Sequence, residues 1–192
     1  MSCAISPYYR SLLPDSIRLL RLLPHEDKNA PIQCELFDYS LQESDKRMHL
    51  YEALSYVWGD SDNPRSISIG EHDLPVTKNL HTALLHLRNF SLKRIIWVDA
   101  ICINQENTEE KVQQIQLMAK IYGRANRVLV WLGEAADDSD QALEEICAAG
   151  GKATNSLNNK TIQPALLALL QRKWFRRIWV REQTLDNFGR NY

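Results

Sequence analysis

The sequence predicts an α/β domain with a mainly parallel central sheet flanked by helices. Short apolar runs rich in β-branched and aromatic residues recur at Tyr51–Trp58, Arg94–Asp99 and Arg127–Leu132, and amphipathic segments at helical spacing lie between them. Strands alternating with such helices imply βαβ units, whose crossovers lay helices on the sheet faces. The 192 residues suit one domain with a real core. Apolar residues make up 44% of the chain and charged residues 24%, which excludes general disorder.

Two strands are expected first, at Ile17–Leu23 (IRLLRLL, closed by Pro24) and Ile32–Tyr39 (IQCELFDY). The charged, turn-forming link HEDKNAP makes them an N-terminal hairpin. Gln42–Arg47 is polar and is expected to cross the surface. Tyr51–Trp58 reads as a buried strand followed by the loop Gly59–Pro64. Ile67, Ile69, Gly70, Leu74 and Val76 suggest a small surface hairpin, and a helix is expected to begin near Thr77 or Asn79. Leu80, Ala83, Leu84 and Leu87 give that helix one apolar stripe. After the strand at Arg94–Asp99, Ala100–Asn107 reads as a connecting loop. The next helix spans about Thr108–Arg124, with Ile115, Met118, Ala119 and Tyr122 as its sheet-facing stripe and Gly123 helping to end it. A strand at Arg127–Leu132, an acidic loop at Gly133–Asp140 and a short helix marked by Leu143, Ile146 and Cys147 and capped near Ser139 follow. Gly150–Lys160 is expected to be the most flexible stretch. A last helix near Pro164–Gln171 precedes Trp174–Glu182, which reads equally as helix or strand.

The formal net charge of −1 excludes a global field towards nucleic acid or anionic lipid. Arg172, Lys173, Arg176, Arg177 and Arg181, interleaved with Trp174, Phe175 and Trp179, form a local basic cluster. Its aromatics read more simply as core, and its charges as partners for an anion or for the Glu134–Asp140 loop, so nucleic acid is not expected as a partner. No apolar run approaches the roughly 20 residues of a membrane span, and Met1–Arg10 lacks the pattern of a secretory signal. Cys3, Cys34, Cys102 and Cys147 contain no C-x-x-C pair, so neither zinc nor a disulfide framework is signalled. Reduced thiols fit the cytoplasm or the nucleus, and a cytoplasmic location is expected. His81 and His86 have the wrong spacing to share a helical face, and no metal is expected.

Five ordered segments, IRLLRLLP, YEALSYVWGD, IIWVDAICINQ, EEKVQQIQLMAKIYGRANRVLVWLG and WFRRIWVREQ, resemble blocks of the fungal heterokaryon-incompatibility (HET) domain family and cover most of Ile17–Gln183. Arg181 departs from the pattern, since the family more often has Gln there. The resemblance implies an N-terminal extension over 1–16, a HET domain over 17–183 and a tail over 184–192. Many family members continue into long variable regions, so the chain reads as a short member or a truncated one. HET domains are more distantly similar to TIR domains, which are flavodoxin-like, assemble, and in some lineages cleave NAD. The implied function is therefore incompatibility and cell-death signalling, with either NAD hydrolysis or non-enzymatic homotypic assembly as mechanism. Self-association and a partner incompatibility protein are implied, with NAD as a substrate and no resident cofactor.

Under that resemblance the helix after INQ stands where NAD-cleaving relatives place a glutamate, making Glu110 the catalytic candidate and Glu109 the second. A carboxylate beside a cleft can stabilise the oxocarbenium-like state of ribose–nicotinamide cleavage. Ser55, Trp58, Gly59, Asp99, Asn104 and Gln105 would line the cleft, at the carboxyl ends of parallel strands. Each has a structural alternative. Asn107 and Glu110 have capping-box spacing. Asp99, Asn104 and Gln105 suit loop building. Ser55 and Tyr56 point to opposite faces, and Trp58 can serve as a lid on the core. Cys102 has no His near it in sequence that would activate it as a nucleophile.

Overall fold

The computed structural model describes residues 8–42, 50–150 and 163–176. Its backbone contacts divide the chain into two compact units, Met1–Trp131 and Leu132–Tyr192. The first unit holds a seven-stranded sheet, with β1 at Ser16–Leu22, β2 at Gln33–Ser40, β3 at Glu52–Tyr56, β4 at Arg65–Ile69, β5 at His72–Val76, β6 at Arg94–Trp97 and β7 at Arg127–Trp131. Strand order is β5-β4-β2-β1-β6-β3-β7.

The sheet is mixed, which corrects the expectation of a mainly parallel one. β1 runs antiparallel to both neighbours, β2 and β6, and β4 runs antiparallel to β5. Only β2–β4, β3–β6 and β3–β7 are parallel. The cause is the N-terminal hairpin β1–β2. An antiparallel pair needs only a short connection, so the hairpin enters as one body and docks its first strand along β6 without a helical crossover. The second hairpin, β4–β5, joins the same sheet through β4 instead of lying apart on the surface. Because β1 is central, its near-continuous apolar run is buried on both faces, as in IRLL.

Helix α1, Lys78–Leu87, starts where the sequence places it. Thr77 Oγ1 accepts from the Leu80 amide at 3.3 Å, and Leu80, Ala83 and Leu84 turn inward. The expected loop after β6 instead begins with a one-turn helix, α2 (Asp99–Cys102), because the Val98 carbonyl accepts from the Ile101 and Cys102 amides. Ile101 and Cys102 in this turn and Ile103 after it are buried.

Helix α3 occupies Thr108–Arg124, as expected, but its inward face is rotated from the apolar stripe read in the sequence. Glu110, Gln114 and Ile121 are buried, with Leu117, Met118 and Tyr122 packed against the core, whereas Ile115 and Ala119 face solvent. Two polar residues go inside because the sheet offers them partners: Gln114 Nε2 donates to the Ser16 carbonyl at 3.0 Å, and Glu110 meets Arg18. Gly123 does not end the helix, which runs to Arg124 and closes when the Ala125 amide bonds the Ile121 carbonyl.

The parallel strands are tied at their amino ends by Glu52, which receives Arg94 from β6 at 2.6 Å and Arg127 from β7. Tyr51 Oη donates to the Ile121 carbonyl at 2.6 Å and fixes the end of α3.

In the second unit, α4 spans Ser139–Gly150 and α5 spans Gln163–Leu170, and a 3₁₀ turn follows at Lys173–Arg176. Ser139 is the first helical residue, so the helix starts where the sequence places it, and the Ser139 hydroxyl accepts from the Ala136 amide. Ala142, Ala165 and Leu169 form this unit's small core with Leu132, while Leu143, Ile146 and Cys147, which mark the helix in the sequence, are exposed. The surface run after Gln42, the Gly150–Lys160 stretch beyond Gly150 itself and the segment after Arg176 lie outside the described residues.

Leu20 is fully buried and paired with both β2 and β6. Leu20→Ala is expected to lose about 2–5 kcal/mol of unfolding free energy in denaturant titrations. Leu13→Ala, at a side chain 77% exposed, is expected to stay within about 0.5 kcal/mol.

Candidate functional site

The candidate residues gather around the connection from β6 through α2 to α3. Asp99 begins α2, and its carboxylate accepts the Trp58 indole N–H at 2.9 Å and the Ala100 amide at 2.8 Å. Gln105 Nε2 donates to the Asp99 carbonyl at 2.9 Å, folding the turn back onto α2. Trp58, Asp99 and Gln105 thus form one cluster beyond the carboxyl ends of β3 and β6. Trp58 remains 41% exposed, so it is an exposed flank to this turn and not a sealed lid on the core.

Gly59 adopts φ +77°, and a Cβ there would stand 3.2 Å from the Asn79 Cβ. Asn79, at the start of α1, donates to the Val57 carbonyl at 2.5 Å and accepts the Trp131 indole N–H at 2.9 Å. It therefore ties the carboxyl ends of β3 and β7 together, and only a small residue at 59 lets the loop pass so close. Ser55 and Tyr56 are both buried in β3 on opposite faces.

Asn104 and Glu110 belong to a second, deeper cluster. The Asn104 amide donates to Glu110 Oε1 at 2.8 Å, and the Asn104 side chain accepts from the Glu106 amide at 3.1 Å. Arg18, 1% exposed in the middle of β1, grips Glu110 in a fork: Nη1 to Oε1 at 2.5 Å and Nη2 to Oε2 at 2.9 Å. The same guanidinium donates to the Cys102 and Arg10 carbonyls and lies over the Tyr9 ring at 4.9 Å. Tyr9 Oη donates to the Ile101 carbonyl at 2.9 Å, and burial pushes its phenol well above the ordinary tyrosine range, keeping it a donor.

Half of the expected capping box forms. Asn107 Oδ1 accepts from the Glu110 amide at 3.1 Å, but the Glu110 carboxylate turns inward to Arg18 and Asn104 instead of back to the Asn107 amide. Glu109 is exposed on the first turn of α3.

Two cavities of the first unit open away from the candidate residues, although Arg18 itself borders one of them. One of about 490 Å³ opens beside Tyr8, Arg10, Arg18, Asp38 and His72, and one of about 330 Å³ beside His25, His86, Arg88 and Phe90. None of Ser55, Trp58, Gly59, Asp99, Asn104, Gln105 or Glu110 lines either. Among the described residues no group of three His, Cys, Asp or Glu side chains converges as a metal site. Arg172 of the basic cluster meets the acidic loop through backbone, donating to the Leu132 and Ala136 carbonyls, and Phe175 is exposed.

Arg18, Tyr9 and Asn79 are the site residues that sequence reasoning passed over. Arg18 left a partial signal, one of two charges, with Arg21, that interrupt the apolar run IRLLRLL. Asn79 and Tyr9 left none.

The profile of the heterokaryon incompatibility protein (HET) family matches residues 51–182, and so takes in Trp58, Asp99, Asn104 and Glu110. The chain belongs to the HET family. It is similar to heterokaryon incompatibility protein 6, OR allele, of Neurospora crassa, with 35% identity over 158 residues, covering 76% of this chain and 23% of that protein. The chain thus spans about a quarter of the length of the curated relative it matches. No solved structure matches it. The HET match begins at β3 and leaves out β1, which carries Arg18, so Glu110 lies inside the match and the side chain that holds it lies outside.

Removing one partner of a buried ion pair strands the other charge. Arg18→Ala and Glu110→Ala are each expected to lose about 3–5 kcal/mol, measured by denaturant unfolding. The apolar double variant Arg18→Met/Glu110→Met is expected to recover most of that loss, because no charge is then left unmatched.

Burial pushes the Cys102 thiol up to about 12, and Cys34 likewise to about 12. A thiol with so high a pKa stays protonated and unreactive at neutral and mildly alkaline pH. Iodoacetamide at pH 8 is expected to leave both unmodified in the folded protein and to alkylate both in denaturant; mass spectrometry of digests reads the difference.

Proposed function

We propose that this chain serves heterokaryon incompatibility as a signalling module that works by binding and self-association on a fixed scaffold, without bond cleavage at Glu110. One observation carries this reading. Both Glu110 oxygens are held by Arg18, with the Asn104 amide on one of them, so the carboxylate is consumed in holding α3 to β1. The match to a Neurospora crassa incompatibility protein supports the biological role. A cytoplasmic location belongs to the same proposal; among the described residues no helix is long and apolar enough to cross a membrane.

A second reading rests on the Trp58–Asp99 pair. It keeps NAD cleavage but moves the carboxylate to Asp99, which stands beside a half-exposed indole at the carboxyl ends of parallel strands. The trio β6-β3-β7 with its helical crossover is the portion of the sheet that a flavodoxin-like or TIR-like ancestry would supply.

The deciding experiment follows NAD by chromatography during incubation with concentrated purified protein, with and without a crowding agent, while light scattering reports assembly. The module reading expects no NAD loss while assembly occurs. It further expects a folded Arg18→Met/Glu110→Met variant to trigger cell death in a fungal host as wild type does. NAD loss that Asp99→Ala abolishes would establish the second reading instead, and loss of killing by the folded double variant would return Glu110 to an active role.

A further inference from the structure

The link between β1 and β2 folds back onto the carboxyl end of α1, and Arg88 holds it there. The guanidinium donates to four backbone carbonyls of the link, those of Asp27 at 3.1 Å, Lys28 at 2.7 Å, Ala30 at 2.8 Å and Pro31 at 3.0 Å. The His25 amide adds a bond to the Asn89 carbonyl at 3.2 Å. These carbonyls are neutral, so they saturate the terminal N–H groups of Arg88 without cancelling its charge. Among the described residues no carboxylate pairs with Arg88 or with Lys28. The charge is felt further along α1, where His81 is held below the ordinary histidine range by burial and then by Arg65 and Arg88.

The cavity of about 330 Å³ lies here. Four of the residues around it, His25, Lys28, His86 and Arg88, carry or can accept a positive charge, against one carboxylate, Glu26. That balance is local, since the whole chain has 23 Lys and Arg against 24 Asp and Glu. Asp27 spends its carboxylate on the Asn29 amide at 2.8 Å. The His25 ring accepts the Asp27 amide on Nδ1 at 3.0 Å, which puts the ring hydrogen on Nε2 and leaves it a donor beside the cavity. The carbonyl end of α1 works against an anion, but the Leu84 and Leu87 carbonyls are already taken, by the Arg88 amide at 2.9 Å and the Arg94 guanidinium at 3.1 Å. The rest of the lining is apolar: Leu85 is half-buried and Phe90 is 64% exposed.

We propose that this cavity binds a small phosphate monoester that carries a flat apolar group. The phosphate takes the His25 Nε2–H and the Lys28 ammonium, with the fixed charge of Arg88 behind them, and the apolar group lies on Phe90 and Leu85. Phosphate suits this set better than a carboxylate, because it brings nearly two charges at neutral pH and three acceptor oxygens to cations that come from two separate segments. The volume is at the small end of ligand cavities, which run from about 300 to 1,000 Å³, and leaves room for a phosphate with one ring. The site is distinct from the Trp58–Asp99 cluster: Asn79, which holds the Val57 carbonyl, is in the first turn of α1 and Arg88 just past its last, roughly 13 Å along the helix. It stands independently of the proposed function.

A titration of the full chain at pH 7 and low salt, followed by amide NMR shifts, tests it with phenyl phosphate, inorganic phosphate and benzoate as probes. Phenyl phosphate is expected to shift the His25, Lys28 and Arg88 amides and to bind at least ~10-fold more tightly than either other probe, since each of those lacks one of the two contacts. The double variant His25→Ala/Lys28→Ala is expected to weaken it at least ~10-fold, and Phe90→Ala to bring it to the level of inorganic phosphate. Lys78→Ala, at an exposed lysine on the other end of α1, is expected to change nothing. All four side chains are exposed, so the unfolding transition is expected to stay where it is in each variant. Absence of phenyl phosphate binding by the wild type would overturn the proposal. So would binding that benzoate equals, or binding that His25→Ala/Lys28→Ala spares or Lys78→Ala weakens as much, which would mark a diffuse surface attraction. Neither NAD cleavage nor the state of assembly bears on these outcomes.

Discussion

A guanidinium in the middle of a sheet is a severe constraint, because a charge taken out of water must be met from every side or its burial is prohibitive. Arg18 sits on the central strand, and its two terminal nitrogens are matched by the Glu110 carboxylate and by the Cys102 and Arg10 carbonyls, with the Tyr9 ring against its face, while its buried Nε has no hydrogen-bond partner among the described residues. Each partner comes from a different part of the chain, so satisfying one side chain fixes the segment before β1, the turn of α2 and the first turn of α3. The apolar core could tolerate small slips of these elements. A forked ion pair cannot, since its geometry is directional over a few tenths of an ångström.

That constraint propagates to the cluster around Trp58 and Asp99. Glu110 holds the Asn104 amide, the turn after Asn104 returns Gln105 to the Asp99 carbonyl, and Asp99 holds the Trp58 indole. The exposed ring at the carboxyl ends of β3 and β6 is thereby referenced to a buried charge on β1. Binding surfaces work when their groups are held by others already fixed, and here the fixing runs through hydrogen bonds at every step.

Most of the elements were legible from periodicity and caps. Thr77 and Asn107 mark the starts of α1 and α3, and β3, β6 and β7 are apolar runs ended by turn formers. Strand direction was not legible. Alternating strands and helices imply parallel pairing, but nothing in IRLLRLL says that the first hairpin docks between two parts of a sheet, because long-range order leaves no local signature. The inward face of α3 misled for a related reason. A count of apolar residues places Ile115 and Ala119 inside, whereas Glu110 and Gln114 go in because Arg18 and the Ser16 carbonyl require them. Of the site, the family resemblance offered candidates such as Glu110 and Asp99, but neither their company nor Arg18, Tyr9 and Asn79. One of two arginines in an apolar strand and a Glu 92 positions later carry no mark of being partners.

The position of the first hairpin bears on where the domain ends. The family match starts at residue 51, and a fragment cut there would keep β3, β6 and β7 on one side and β4 and β5 on the other. The two strands between them, β2 and β1, would be gone, and β4 and β6 would each face water along a newly bared backbone edge. Such a fragment would be two separate ribbons with Glu110 stranded beneath one of them, prone to pair with whatever strands it met. In this chain the strands that join β4 to β6 thus come from before the family match, and the continuity of the sheet depends on a hairpin that the match does not cover.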